Sequence, residues 1–346
     1  MARSPILSLP VELLAVVTKC LTEIRDINAL ALTHRTFHIL VRSQQLHSVC
    51  FGRTLKSSGK EHYLSQAHNA FLCTFIRRLR LVSGCLSPKR MDLVRKVLSQ
   101  SSQIEHWELE LAGPFDFAGC RIPSLRSLQI STLDICSPGL VSSVLPILRQ
   151  CAGTIETLAI PVAEGCLEIL RGMPALKRFR MTCPAPELLE AVVEALPSNL
   201  VSIGLVGTTM EKSAITAICR FPSLEEADLA GNDWSINHSW MRSELRNFSC
   251  LKRLTLLGKW GDVVWHVSHP RREREIWSRA GRIVKRLLEA EAETYIDQLP
   301  GLESIRLTGR FPRRQHPDVT VIRSRSPCRR CKYCPSSLAS NIRAAG

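Results

Sequence analysis

Hydrophobic and polar positions fall into a six-residue frame, apolar-x-x-apolar-x-apolar, that returns nine times. It runs through Ile76, Leu79, Leu81; Ile104, Trp107, Leu109; Leu125, Leu128, Ile130; Ile155, Leu158, Ile160; and Leu176, Phe179, Met181. It continues through Leu200, Ile203, Leu205; Leu224, Ala227, Leu229; Leu251, Leu254, Leu256; and Leu302, Ile305, Leu307. The last apolar positions alternate with polar ones, the period of two expected of a short strand with one buried face. Pro123, Pro174, Pro222 and Pro300 stand just ahead of a frame, and Gly207, Gly231, Gly258 and Gly309 close one; such punctuation bounds short strands. Between frames lie helical stripes: Leu93, Val94, Val97 and Leu98; Leu140, Val144 and Leu148; Leu188, Leu189, Val192, Val193 and Leu196; Ile215, Ile218 and Cys219. A strand and a helix every 21 to 30 residues, in seven of the eight steps, can bury their apolar edges only by stacking on their neighbours. The pattern predicts an α/β strand–helix repeat with a parallel sheet over 75–310, built to hold another macromolecule.

The last step, from Leu251 to Leu302, is longer. Ile276, Trp277, Ala280, Ile283, Val284, Leu287, Leu288 and Tyr295 predict one amphipathic helix over 271–299. Residues 6–45 follow another rule. Leu9, Leu13, Val17 and Leu21 form the stripe of a helix opened by Pro10, with Glu12 in its first turn. Asp26 caps a short helix with Ile27 and Leu30, and a third helix carries Phe37, Leu40 and Val41. Three short helices cannot bury all these side chains among themselves, so a partner is expected.

Charge and cysteine usage narrow the picture. The net charge of +15 is local: nine Lys/Arg oppose only Asp318 over 310–346, and seven oppose Glu273 and Glu275 over 271–286. A basic groove along the repeat is thereby disfavoured. Most of the 14 cysteines, such as Cys20, Cys73, Cys183 and Cys219, stand where an apolar residue would serve, as reduced thiols do. No run is long and apolar enough to span a bilayer, and a soluble, cytoplasmic or nuclear chain is expected. No phosphate-binding loop, nucleophile elbow or HExxH stands in the chain, so neither catalysis nor a cofactor is expected. Cys328, Cys331 and Cys334 have the spacing of thiolate ligands, with His316 the nearest fourth. Their Arg, Ser and Pro surroundings read as a basic, disordered tail over 311–346. Asp262, His266 and His269 read as a solvated loop.

Two resemblances sharpen this. The stretch Pro222-Ser223-Leu224-Glu225-Glu226-Ala227-Asp228-Leu229-Ala230-Gly231-Asn232 resembles the leucine-rich-repeat family; the family's asparagine after the strand is present only as Asn232, which implies an irregular stack. Leu9-Pro10-Val11-Glu12-Leu13-Leu14, then Cys20-Leu21, Arg25 to Leu32, and Arg35-Thr36-Phe37 resemble an F-box. Together they resemble F-box/leucine-rich-repeat proteins of the fungal type: a three-helix F-box at 1–45, a connecting or capping segment at 46–74, and the solenoid at 75–310. The resemblance implies docking on the Skp linker subunit of a cullin-RING ubiquitin ligase through Leu9, Pro10, Leu13, Leu14, Val17, Leu21, Ile27, Leu30, Leu32 and Phe37. It also implies that the repeats hold a target protein. Positions three and five of each frame point away from the core, and the expected target site is Arg178, Arg180, Glu226, Asp228, Trp234, Arg253, Trp260 and Trp265. The alternative is a nucleic-acid- or chromatin-associated scaffold acting through the basic tail.

Overall fold

The computed structural model describes residues 6, 9–21, 24–52, 73–82, 88–111, 117, 122, 124–132, 138–161, 164–182, 186–206, 209–210, 212–229, 233–234, 238–257, 273–299, 301–308 and 318–322. The chain divides into two compact units, Met1–Ile155 and Glu156–Gly346.

The first unit opens with helices α1 (Val11–Cys20), α2 (Ile24–Thr33) and α3 (Arg35–Leu46). The repeat follows as β1 (Ser48–Phe51), β2 (Arg78–Val82), α4 (Pro88–Gln100), β3 (His106–Leu111), β4 (Ser127–Thr132) and α5 (Pro138–Cys151). Strands β1 to β4 pair in sequence order, all parallel.

The second unit continues with β5 (Thr157–Ile160), α6 (Leu167–Arg171), β6 (Arg178–Thr182), α7 (Pro186–Ala195) and β7 (Ser202–Val206). After β8 (Thr209–Met210) and α8 (Lys212–Ile218) come β9 (Glu226–Leu229), β10 (Asp233–Trp234), α9 (His238–Leu245) and β11 (Arg253–Leu257). The unit closes with α10 (Glu273–Gln298), β12 (Ser304–Thr308) and β13 (Asp318–Ile322). Its sheet runs β5-β6-β7-β9-β11-β12-β13, parallel except for the last pair. Strands β8 and β10 form a separate two-stranded parallel ladder.

All three apolar positions of all nine frames are buried, Ile130 being the most exposed at 7%. Parallel stacking is in strict register, position three of one frame opposite position three of the next. The register begins at the frame entrance. Within each unit, the position-two carbonyl accepts the N–H groups of positions two and three of the following frame. His47, Arg77 and Glu105 accept in the first unit; Glu156, Lys177, Val201, Glu225 and Lys252 accept in the second, all at 2.8–3.1 Å. The helical stripes face the sheet: Val94, Val97 and Leu98 on α4, Val192 and Val193 on α7, and Ile215 and Ile218 on α8 are buried. Small thiols complete the packing. Cys151 donates to the Ile122 carbonyl at 3.0 Å, and burial pushes its thiol up to about 11. Cys73 is buried and Cys219 half-buried, whereas Cys20 is exposed and Cys183 lies outside the described residues.

Two boundaries differ from the sequence expectation. The connecting segment 46–74 begins with a tenth frame, Leu46, Val49 and Phe51, all buried, whose strand β1 pairs with β2. The signal is the same apolar template, within the same spacing of Ile76 as the other frames keep. The second difference lies in 311–346, expected to be a disordered tail. Its residues 318–322 form β13, antiparallel to β12 with Ile305 opposite Val321 and Leu307 opposite Val319. The β-branched run Val319-Thr320-Val321-Ile322 suits a pleated strand, and α10 packs on both β12 and β13. Cys328, Cys331, Cys334 and His316 lie outside the described residues, as do Asp262, His266 and His269.

The expected helix 271–299 is α10, its end fixed by buried Leu288, Ala292, Tyr295, Ile296 and Leu299. The Arg242 guanidinium of α9 lies 5.4 Å from the centre of the Tyr295 ring, and burial pushes the Tyr295 phenol well above its ordinary range.

The antiparallel strand sets a test. Removing residues 318–346 should cost about 2 kcal/mol, at 0.2–1 kcal/mol for each lost cross-strand pair, and lower Tm by roughly 4–8 °C. Removing 324–346 should leave Tm unchanged. Equal melting of the two truncations by calorimetry would show that β13 contributes nothing.

Candidate functional site

Two surfaces carry the residues singled out in the sequence. The first is the N-terminal module. Pro10 leads α1 and accepts from the backbone N–H groups of Leu13 and Leu14 at 3.0 and 3.1 Å. The inward side of the module consists of Leu14, Thr18, Ala31, Phe37, Val41 and Leu46, all buried, and α3 packs on both α1 and α2. The Thr18 hydroxyl is satisfied within its own helix, donating to the Ala15 carbonyl at 2.9 Å.

The outward side is apolar too. Ile6, Leu9, Val11, Leu13, Val16 and Leu32 are 38–86% exposed. Among the described residues, every exposed large hydrophobic side chain lies here. Leu9, Leu13 and Val16 have i, i+4, i+7 spacing, one face of the α1 turn pattern. Burying one such side chain stabilises by about 1.5–3 kcal/mol. The ten positions named from the resemblance therefore separate. Leu14 and Phe37 serve the module's own core; Val17, Leu21, Ile27 and Leu30 are half-buried; Leu9, Pro10, Leu13 and Leu32 face outward. Val11 and Val16, which the sequence pattern did not single out, join the outward set.

The second surface is the sheet face opposite the core, where positions three and five of the frames emerge. In the first unit, Arg80 bridges Glu108 at 3.2 Å and Glu110 at 3.6 Å, and Arg77 pairs with Glu105 at 3.5 Å. In the second unit, Lys177 pairs with Glu156 at 3.5 Å and Lys252 with Glu225 at 2.9 Å. The hydrogen bond from Lys252 holds the Glu225 carboxyl below its usual range. Arg253 pairs with Glu226 on the neighbouring strand.

One pair skips a strand. Arg180 of β6 meets Asp228 of β9, Nη2 to Oδ2 at 3.2 Å, although β7 runs between them with Gly204 in register with both. A Cβ on Gly204 would stand 3.0 Å from Arg180 Cγ. The missing side chain is what lets the arginine lie across β7.

Of the expected target site, Arg178, Arg180, Glu226, Asp228 and Arg253 thus share one face of the second unit, on β6, β9 and β11. Trp234 lies in β10, paired with Met210 through the backbone. Trp260 and Trp265 lie outside the described residues. Sequence reading found the charges but not their mutual pairing, which depends on register. Among the described residues, no group of three or more His, Cys, Asp or Glu side chains is arranged to hold a metal ion, and no helix is long and apolar enough to cross a membrane.

No family model and no curated protein matches the chain. Among solved structures, a chain of an octameric complex of Latrophilin 3 (Lec, Olf), Unc5D (Ig, Ig2, TSP1) and FLRT2 (LRR) is similar at 18% identity. The match covers 54% of this chain and 62% of that chain, with a TM-score of 0.29. A likeness of that degree carries no argument about function.

The skipped strand can be tested. A double-mutant cycle with Arg180→Ala and Asp228→Ala should give a coupling of about 0.2–1 kcal/mol, as exposed ion pairs do, fading in 1 M salt. In a Gly204→Val background the coupling should vanish. An undiminished coupling there, measured by urea unfolding, would show that the pair does not depend on the open position.

Proposed function

We propose that this chain is the substrate-recognition adaptor of a Skp-cullin-F-box type ubiquitin ligase. In this reading the N-terminal module is an F-box that docks the linker subunit, and the repeat is of the leucine-rich kind and binds the target protein. The observation that carries the reading is the outward apolar set on α1, on α2 and just ahead of α1. Ile6, Leu9, Val11, Leu13, Val16 and Leu32 are exposed, while the module already has a core of its own through Leu14 on α1, Ala31 on α2 and Phe37 on α3. A cap whose only task was to cover the repeat would present a polar outer face. An apolar one gains free energy only when a partner covers it.

The mechanism is proximity. One chain holds two partners at a fixed spacing and so raises the local concentration of the target beside the ubiquitin-loaded enzyme. No catalytic side chain is required of the adaptor itself. The opposite charges on the sheet face suit a folded protein or peptide with its own pattern better than a uniform polyanion. The nucleic-acid reading acts through the basic tail, of which only 318–322 is described, and rests on sequence alone.

Exposure chooses the variants. Leu13→Asp with Val16→Asp places two charges on the outward face and should abolish co-purification of the linker subunit, since a charge buried without a partner costs several kcal/mol. The helical signal of the chain should be retained. Leu14→Asp should instead unfold the module, because Leu14 is only 3% exposed. Undiminished recovery of the linker subunit with the outward pair changed would overturn the F-box assignment.

A further inference from the structure

On the sheet face of the second unit, the arginines of β6 meet different fates. Arg180 is committed to Asp228. Arg178, two residues earlier on the same face, is exposed and has no ion-pair partner among the described residues. Its neighbours in register are Thr157 on β5 and Ser202 on β7. Strand spacing sets these hydroxyl-bearing positions about 5 Å to either side, and Arg180 about 7 Å further along β6. Beyond Ser202, the row reaches Glu226, which is engaged with Arg253.

We infer that Arg178, with Thr157 and Ser202, is a subsite for a single carboxylate side chain of a bound peptide. The inference deepens the reading of this face as the one that captures a protein, by naming the chemistry of the captured segment. The fold already holds one carboxylate in this manner: Asp228 is fixed by Arg180 across the open position at Gly204. A ligand carboxylate on Arg178 repeats that contact one step down the strand. A guanidinium receives it through two parallel N–H donors, and the two hydroxyls each offer one more. Because the three positions lie on paired strands, their backbones are ordered before the ligand arrives, which lowers the entropic cost of binding. The surrounding charges define the segment further. Glu156, Glu226 and Asp228 on the same sheet are already matched by Lys177, Arg253 and Arg180, so Arg178 offers one positive charge that has no ion-pair partner among the described residues. One such charge suits a lone Asp or Glu between neutral residues better than an acidic tract.

The first unit repeats the arrangement independently. On β2, Arg80 is committed to Glu108 and Glu110, while the exposed Arg78 lies in register with Ser48 and His106.

The probe is the blocked tripeptide N-acetyl-Gly-Glu-Gly-amide, with its Gln counterpart as control, titrated into the full chain. The arginine Nε–Hε resonances report binding directly. With the Glu peptide, the Arg178 resonance and, more weakly, that of its strand neighbour Arg180 should shift saturably, and the exposed Arg171 of α6 should not. The Gln peptide should move none of the three. Thr157→Val with Ser202→Ala should weaken binding about threefold or more. Asp228→Asn, by releasing Arg180 to the ligand, should strengthen it about two- to fivefold, the range of an exposed ion pair. Arg178→Gln should abolish the saturable shift, followed at Arg180. A shift that does not saturate, an equal shift with the Gln peptide or at Arg171, or persistence in Arg178→Gln would overturn the subsite. The measurement needs no linker subunit, so its failure leaves the F-box reading untouched, and failure of linker co-purification leaves the subsite standing.

Discussion

The in-register stacking of frame upon frame is the constraint on which the remaining features depend. Within each unit, one carbonyl at the frame entrance accepts two N–H groups from the next frame, which fixes both the register and the parallel direction before the strand proper begins. A slip of one residue would turn every buried position of a strand outward. With position four of each frame carrying Leu, Trp, Phe, Ile, Val or Ala, that slip would expose the whole core. Hydrogen bonding and burial therefore select the same register, the agreement between levels that marks a foldable sequence.

Register also organises the opposite face. Positions three and five of successive strands are brought into rows, so residues far apart in sequence become neighbours with defined charges. In the second unit Arg253 stands against Glu226 at position three and Arg180 against Asp228 at position five, while Lys177 with Glu156 and Lys252 with Glu225 pair at position two, at the strand entrances. Each of these exposed pairs adds little to stability. Their larger effect is on recognition: charges already matched are unavailable, so Arg178, without an ion-pair partner among the described residues, stands out as a place for a ligand. Gly204 contributes through what it lacks, because a Cβ there would crowd the Arg180 side chain on its way to Asp228.

The ends of the chain are handled by different means. A strand stack leaves an unpaired edge and an apolar helix layer at each terminus. At the N-terminal end α3 leads directly into β1, and the module has its own small core. In the second unit the last parallel strand is covered by β13, which returns antiparallel and also packs under α10. The closing strand comes from a segment whose composition is dominated by Arg, Ser and Pro, within which five residues have strand character.

Much of this architecture was legible in the sequence, because hydrophobic periodicity is a local property. Each frame needs only its own six residues to declare a strand, and 271–299 needs only its own stripe to declare a helix. Even the tenth frame at Leu46, Val49 and Phe51 was visible in the same template. Other features were decided only by tertiary structure. Leu13 and Leu14 are chemically the same residue side by side; which of them is buried depends on where α3 packs. Residues 318–322 form a strand because the edge of β12 and the face of α10 are there to receive them; alone, five such residues are too few to hold one. The pairing of Arg180 with Asp228 over Gly204 needs three strands set side by side, a relation that no window along the chain contains. Burial of an apolar side chain is a property each residue announces by type and period, whereas contact between two side chains is a property of the register that joins them.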